Sequence, residues 1–187
     1  DDRDLPLDIE TCYSLGANQP YLTMDTRLIN TSSEEVSLWW VEYLNGSGEV
    51  QAFQPQAGFG EPLFTAGCPA ATMVACDDGQ CDQCNYLAYA GHEGAAGVSY
   101  GMIHEVPDTA SFSTDGLNVL ILGASLVKIV SGTPPNFTVP ADGEFSLRRY
   151  FAVGDGSASS IADIRNQLDG IHSGELAGKV SSAGEPV

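Results

Sequence analysis

The segment YLTMDTRLIN at residues 21–30 alternates apolar and polar side chains along its length. Leu22, Met24 and Leu28 fall on one side of an extended chain, and Asp25 falls on the other. A period of two residues is typical of a β-strand that buries one face. This segment therefore predicts a strand, and similar patterns recur along the chain.

Comparable patterns predict further strands at residues 36–44, 49–53, 86–90, 97–104, 117–122, 126–130, 137–139 and 144–153. Between the first two of these, Asn45, Gly46, Ser47 and Gly48 are residues that accept positive φ angles. Such residues are typical of tight hairpin turns. The sequence therefore predicts that segments 36–44 and 49–53 pair as a β-hairpin.

One helix is predicted near the C-terminal end of the chain. Ser159 and Ser160 precede apolar residues at i, i+3 and i+7, which are Ile161, Ile164 and Leu168. Asp163 stands where a capping box places an acid, and Gly170 would end the helix. Because no helical crossovers separate the predicted strands, the expected fold is mostly β: an antiparallel β-sandwich with one short C-terminal helix.

The composition limits the classes of partner that the chain can bind and indicates the compartment in which it works. The chain has 25 acidic and 7 basic residues, which gives a formal charge of −18 at pH 7. Such a surface repels phosphates, so we expect no nucleic-acid partner and no anionic membrane. Neutral glycans, basic proteins and cations remain compatible. Charged residues make up only 17% of the chain, which, together with the cysteine usage, indicates an extracytoplasmic protein: secreted, periplasmic or on the cell surface.

A cysteine-rich insertion is predicted at residues 66–86, and its cysteines are Cys68, Cys76, Cys81 and Cys84. Disulfides are the favoured interpretation, because cross-links stabilise loops that lack a core of their own. Three pairings of four cysteines remain open. A zinc or iron–sulfur site is the alternative, although the spacing lacks a second CxxC knuckle. Cys12 is left unpaired, buried as a small apolar residue, or bonded to a segment outside this sequence.

The same insertion contains three carboxylates, on Asp77, Asp78 and Asp82. Calcium prefers oxygen ligands in flexible loops, so Ca²⁺ is the cofactor that this segment could bind. The spacing departs from that of an EF-hand, and a solvated acidic loop is the alternative.

Candidate catalytic residues are sparse. His92 and His104 each precede a glutamate, but neither has the HExxH spacing of a metalloprotease, and no GxSxG motif occurs. Hydrogen-bonded loop residues are the favoured interpretation of both histidines. An enzyme with a site around His92 and His104 remains the alternative to a non-catalytic domain.

Aromatic residues suggest a ligand surface near residue 40. Adjacent residues of a strand point to opposite faces, so Trp39 and Trp40 cannot both lie in the core. Trp40 is assigned to the core. Trp39 and Tyr43 are the candidate exposed surface for a glycan.

The final ten residues, GKVSSAGEPV at 178–187, contain Gly-x-Val followed by Gly-x-Pro-Val. This stretch resembles the opening of the carboxypeptidase-regulatory-like repeat, an immunoglobulin-like module. The resemblance implies a β-sandwich domain at residues 1–172, followed at 173–187 by a linker and the start of a second, truncated module. Downstream domains of the same polypeptide would then be its partners.

Three further segments, GVSYG at 97–101, PNFTVP at 135–140 and RYFAVGDG at 149–156, also carry a resemblance. They resemble the β-sandwich that precedes such repeats and metallohydrolase domains in large exported bacterial proteins. Residues 140–144 are also similar to supersandwich domains of the galactose-mutarotase type. The resemblance implies a non-catalytic recognition or scaffolding domain with a glycan or protein ligand. Mutarotase activity is not implied, because that family's catalytic His and Glu have no matching positions here.

Overall fold

The computed structural model describes residues 5–38, 40–43, 50–54, 58–59, 86–91, 97–105, 110–114, 117–122, 137–172, 174, 181–182 and 185–186. Over these residues the chain is mostly β, with antiparallel strands in a sandwich-like arrangement and one short helix, α1, at Ala158–Leu168. The predicted fold class is therefore confirmed.

The described strands are β1 (Leu7–Ser14), β2 (Tyr21–Asn30), β3 (Val36–Leu38), β4 (Trp40–Tyr43), β5 (Val50–Gln54), β6 (Gly58–Phe59), β7 (Tyr86–Gly91), β8 (Ser99–His104), β9 (Ala110–Thr114), β10 (Leu117–Leu122), β11 (Phe137–Val139), β12 (Glu144–Gly154), β13 (Ser181–Ser182) and β14 (Glu185–Pro186). Most predicted strands coincide with these. The single strand predicted at 36–44 is instead two strands, β3 and β4, which belong to different sheets. The predicted strand at 126–130 lies outside the described residues, and β1, β6 and β9 were not predicted.

The main sheet has seven strands in the order β1-β2-β12-β8-β7-β5-β6. Its longest strand, β12, is central and pairs with β2 on one side and β8 on the other. The register places Leu147 opposite Thr26 and Arg149 opposite His104. Directly opposite residues of antiparallel strands project from the same face of the sheet. The register therefore fixes which side chains share a face.

A second layer consists of shorter strands. β3 pairs with β11, while β4 pairs with β10, which also pairs with β9. β3 ends at Leu38 and β4 begins at Trp40, so the two small sheets follow each other directly along the chain. β11 lies against β2 and β12, and β9 lies against β5 and β7. We call the face of the main sheet that meets β11 the inner face.

The helix covers the opposite, outer face. Ile161 and Ile164 of α1 pack in one buried cluster with Ala88, Ile103 and Ala152 of the main sheet. Small alanines on β7 and β12 let the helix approach the sheet closely, and burial of the isoleucines stabilises the contact by about 1.5–3 kcal/mol for each side chain.

The ends of α1 show one correct and one wrong prediction. Ser157 is the N-cap, and its side chain accepts a hydrogen bond from the Ser160 backbone N–H at 3.2 Å. The cap predicted at Ser159 and Ser160, with Asp163 in a capping box, is therefore wrong, because an equally good capping residue lies earlier in the serine run. Gly170 does follow the helix end, with a φ of +68°, which glycine adopts without strain.

The predicted hairpin through Asn45 and Gly46 is also wrong. β4 pairs with β10, whereas β5 pairs with β6 and β7 of the main sheet. The segment between β4 and β5 therefore connects different sheets. Alternation identified both strands, but it carries no information about which strand lies beside each.

The C-terminal strands β13 and β14 pair with each other, Ser181 with Pro186 and Ser182 with Glu185. They lie in the segment predicted to begin a second module, and that module stays a prediction. In the part of the chain that the structure describes, no helix has the length and apolar character needed to cross a membrane.

Candidate functional site

Most predicted site residues lie outside the described residues. These are Cys68, Cys76, Cys81, Cys84, Asp77, Asp78, Asp82, Trp39 and His92. The backbone of Tyr43 is described as part of β4, opposite Val119. The disulfide, calcium and glycan-surface assignments therefore stay predictions. Among the described residues, no three His, Cys, Asp or Glu side chains form a group that could hold a metal ion.

Cys12 is the cysteine that the structure does describe. It lies in β1 and is exposed as a free thiol. Of the alternatives that the sequence left open for it, burial as a small apolar residue is therefore wrong.

His104 lies at the end of β8, not in a loop, so that prediction is wrong. Its side chain projects from the inner face beside Arg149 and is only 1% exposed. Burial lowers the pKa of His104 to about 3, because a charged imidazolium is poorly solvated in the interior. At neutral pH the imidazole is therefore uncharged and weakly basic.

The inner face has one half that is sealed from solvent, which we call the closed half. Its centre is formed by Leu28, Val139 and Leu147, which are buried between the main sheet and the β3–β11 pair. Partly buried apolar residues surround them: Leu7, Leu38 and Phe145. The closed half is a small hydrophobic core.

A polar row crosses the inner face next to the closed half, and its members are Thr11, Thr26, Arg149 and His104. The Arg149 guanidinium donates a hydrogen bond from Nη2 to Thr26 Oγ1. The Thr26 hydroxyl also lies 2.8 Å from that of Thr11. Burial lowers the pKa of Arg149, and the nearby Tyr13 and Asp25 oppose that change. The row thus places a buried cation and two hydroxyl groups in the middle of the sheet.

Beyond the polar row lies the open half of the inner face, which consists of Leu22, Met24, Tyr100, Phe151 and Val153 around a buried methionine, Met102, opposite Phe151. Tyr100 is 40% exposed and Val153 is 41% exposed. The rings of Tyr100 and Phe151 are stacked, with centroids 5.9 Å apart and planes inclined by 25°. The open half contains no charged side chain, although the chain carries a formal charge of −18.

The two halves arise from the course of single strands. Along β12 the inner-facing residues run from buried Leu147 through Arg149 to half-buried Phe151 and exposed Val153. Along β8 they run from buried His104 and Met102 to exposed Tyr100. Each strand therefore passes from the core to solvent, and its aromatic residue lies at the transition.

The outer face differs from the open half. Beside α1, the rings of Tyr21 and Tyr150 meet edge-on with centroids 5.5 Å apart. Farther toward β1, exposed charges form ion pairs, in which Arg148 binds Asp25 and Arg27 binds both Glu10 and Glu144. Charged pairs and a helix thus occupy the outer face, whereas apolar and aromatic groups meet solvent on the inner face.

Tyr100, Phe151 and Arg149 are not among the site residues that the sequence pattern predicted. The predicted aromatic surface rested on the number of aromatic residues near residue 40. The half-exposed stacked pair instead comes from two strands that lie far apart in the sequence. One signal was present: on β12 the same side of the strand carries Leu147, Arg149 and Phe151. An arginine within an apolar alternation indicates a polar position on a buried face.

Comparison with known proteins assigns the chain to no family. No protein-family model matches the chain. No curated protein matches it either. A solved structure from Klebsiella pneumoniae subsp. pneumoniae, described as a candidate aldose 1-epimerase, is similar over 91% of this chain with a TM-score of 0.47 and 7% sequence identity. The chain spans 53% of the length of that protein.

Proposed function

We propose that the chain is a non-catalytic recognition domain that binds a neutral, saccharide-like ligand on the open half of its inner face. The observation that carries the proposal is the stacked, half-exposed Tyr100–Phe151 pair beside the polar row. Ligand sites are typically apolar and aromatic surfaces with a few well-placed polar groups. A sugar ring has both an apolar face and hydroxyl groups, so it matches such a surface.

Charge also favours a neutral ligand. The open half has no ionisable carboxylate or amine among its five residues, and the surrounding chain is strongly acidic. A polyanionic ligand would be repelled, whereas a neutral one would not. Arg149 is 4% exposed and donates to Thr26, so it belongs to the buried polar row beside the aromatic pair and does not itself contact a ligand.

The alternative, an enzyme with a site around His92 and His104, has weaker support. A general base works best when its pKa lies near the working pH. Burial holds the pKa of His104 at about 3, and the side chain is almost fully enclosed. His104 therefore has the properties of a structural residue of the core.

The proposal places this domain in an exported multidomain polypeptide with a disulfide-stapled insertion that could bind Ca²⁺. Intact mass with and without reductant tests the disulfides: oxidation of Cys68, Cys76, Cys81 and Cys84 to two disulfides would remove about four hydrogens. Calorimetric titration with Ca²⁺ after chelator treatment tests the cation. No heat and no change in thermal stability would contradict calcium binding.

The binding proposal is tested with a panel of neutral oligosaccharides, followed by tyrosine fluorescence and calorimetry. We expect millimolar to micromolar binding of at least one saccharide, and about tenfold weaker binding by Tyr100→Ala. Ile171→Ala is the control, because Ile171 is also an exposed, large apolar side chain but lies after α1, which packs on the outer face. Equal losses in both variants, or no binding to the panel, would contradict the proposal.

The enzyme alternative has its own test. Polarimetry on freshly dissolved aldoses measures whether the protein accelerates mutarotation. We expect the rate in buffer alone. An increase that scales with protein concentration and disappears in His104→Gln would favour the enzyme over the recognition domain.

A further inference from the structure

We infer that β1 pairs in antiparallel orientation with β1 of a second copy of this chain, centred on Thr11. β1 forms one edge of the seven-stranded sheet, and within the described residues it pairs with β2 alone. Six of its eight residues are exposed. An exposed edge strand is a template for pairing with another strand.

The hydrogen-bonding direction of β1 follows from its neighbours. The backbone N–H of Asn30 donates to Gly143, toward β12, and that of Thr31 donates to Pro6, toward β1. Because directions alternate along a strand, the residues of β2 that bind β1 include Arg27 and Asp25. These lie opposite Glu10 and Cys12.

The remaining residues of β1 therefore direct their backbone groups away from the sheet. They are Leu7, whose N–H already donates to the Leu5 carbonyl at 2.7 Å, and Ile9, Thr11 and Tyr13, whose N–H and C=O groups point to the free edge. The same residues project their side chains from the inner face, where Ile9 is 59% exposed and Tyr13 is 64% exposed. The edge thus combines open backbone hydrogen-bonding groups with large exposed apolar side chains.

The edge lacks the features that usually prevent such pairing. Natural edge strands are protected by lysine, proline or a bulge. β1 has the sequence LDIETCYS, which contains neither lysine nor proline, and its register with β2 is continuous over all eight residues. Only Asp8 and Glu10 carry charge on this strand, and both project from the outer face.

The second copy is the partner because one register satisfies every position. When Thr11 faces Thr11 of the second copy, Ile9 faces Tyr13 of the second copy on the inner side. On the outer side, Glu10 faces Cys12 and Asp8 faces Ser14. Apolar side chains then oppose apolar ones, and no two carboxylates lie directly opposite each other. Glu10 is moreover already paired with Arg27, at 3.1 Å.

The neighbouring registers fit less well. Centring on Glu10 would place two glutamates directly opposite each other, which is destabilising. Centring on Cys12 would leave Ile9 opposite Leu15, beyond the end of β1, and would shorten the paired segment. The register centred on Thr11 uses all residues from Asp8 to Ser14.

The first test is sedimentation velocity over a concentration range of about 1–500 µM, because a single strand pair buries an interface at the small end of the stable range. We expect the mass to rise from 19.7 kDa toward twice that value. Ile9→Lys should remain monomeric. Ile171→Lys is the matched control and should associate as the wild type does, since Ile171 is 47% exposed but lies after α1. A wild-type monomer at every concentration overturns the inference.

The salt dependence of association distinguishes a second copy of this chain from a basic protein as the partner of β1. Two chains that each carry −18 repel each other, so screening by added salt should strengthen self-association. Association that weakens as salt rises would contradict pairing of two acidic copies.

A pair of proline variants tests the predicted edge. Ile9→Pro removes an N–H that points outward, so the monomer should fold and fail to associate. Glu10→Pro removes an N–H that binds β2, so it should lower the stability of the monomer. Normal association of Ile9→Pro would overturn edge pairing even if Ile9→Lys were uninformative because of misfolding.

Cross-linking of Cys12 tests the register. Cys12 and its copy lie about 8 Å apart between Cα atoms in the proposed register, from a strand spacing of about 4.8 Å and a rise of about 3.4 Å per residue. This exceeds the reach of a disulfide. We expect a short bismaleimide to link wild-type chains but not Cys12→Ser, and mild oxidation not to link them. A Cys12 disulfide dimer would overturn the register centred on Thr11.

Discussion

The closed and open halves of the inner face share strands β2 and β12 and differ in what covers them. In the closed half, Leu28 and Leu147 are buried against Val139 of the second layer. In the open half, Val153 of the same strand β12 and Tyr100 of the neighbouring strand β8 project into solvent. The difference indicates that one half supplies stability, whereas the other leaves aromatic surface available for a ligand. The polar row marks the boundary between them.

The largest expected difference is in core stability. Leu147→Ala removes a buried side chain of the closed half and should lower the free energy of unfolding by about 3 kcal/mol, from lost burial and the cavity left behind. Val153→Ala, on the same strand and face, should lower it by less than about 1 kcal/mol. Urea unfolding at constant m-value measures both, and equal losses would contradict the division into halves.

A pH effect is expected at the polar row. Unfolded His104 has the ordinary histidine pKa of about 6.5, whereas burial holds the folded pKa at about 3. Between these values the unfolded state binds more protons, so stability falls as the pH is lowered. From pH 7 to pH 5 we expect a loss of about 2 kcal/mol in the free energy of unfolding.

Urea unfolding at several pH values checks this expectation. His104→Gln should flatten the pH dependence between pH 5 and 7. His172→Gln is the matched control, because His172 is exposed after the helix and should leave the slope unchanged. The same slope in wild type and His104→Gln would show that His104 is not enclosed as described.

A smaller loss is expected from the hydrogen bond in the polar row. Thr26→Val keeps the shape of the side chain but removes the acceptor for the buried Arg149 guanidinium, so it should cost about 1–2 kcal/mol of unfolding free energy. Thr138→Val removes an exposed hydroxyl that lies 3.2 Å from Ser37 and should change stability by less than about 0.5 kcal/mol. Chemical unfolding measures the stability of both variants. If Thr26→Val were as stable as Thr138→Val, the hydrogen bond of the polar row would not contribute to stability as described.

The smallest stability effect is expected in the open half. Tyr100→Ala loses a stacked aromatic contact that is partly in water, so it should lower the free energy of unfolding by only about 0.5 kcal/mol. The same substitution should weaken saccharide binding about tenfold. Thermal unfolding measures the change in stability, and titration calorimetry on the same protein preparation measures the change in saccharide binding. A large loss of stability would place Tyr100 in the core.

Much of the fold followed from local pattern. The alternation of residues 21–30 and the apolar spacing around Ile161 and Ile164 predicted β2 and α1, because both elements bury one side against the core. β1 was missed because an edge strand buries little: Leu7 and Ile9 alternate with Asp8 and Glu10, yet most of the strand faces solvent. The partners of β4 and β5 were wrong because strand pairing is a long-range property.

The candidate site was less predictable. The sequence around Tyr100 and Phe151 does not distinguish them from other aromatic residues of β-strands. Only the pairing of β8 with β12 brings the two rings together. His104 was interpreted as a hydrogen-bonded loop residue because His104 and Glu105 lack the HExxH spacing and adjacent strand residues point to opposite faces. Whether a sheet face is covered depends on the second layer, which alternation along one strand cannot report.

The most direct test of ligand binding by the open half is backbone NMR of the ¹⁵N-labelled chain during titration with the tightest-binding neutral oligosaccharide. We predict that shift changes concentrate on Tyr100, Phe151 and Val153 and decline toward Leu147 and Leu28. Changes centred on α1 or on the ion pairs of the outer face, with the open half unmoved at saturation, would contradict the account.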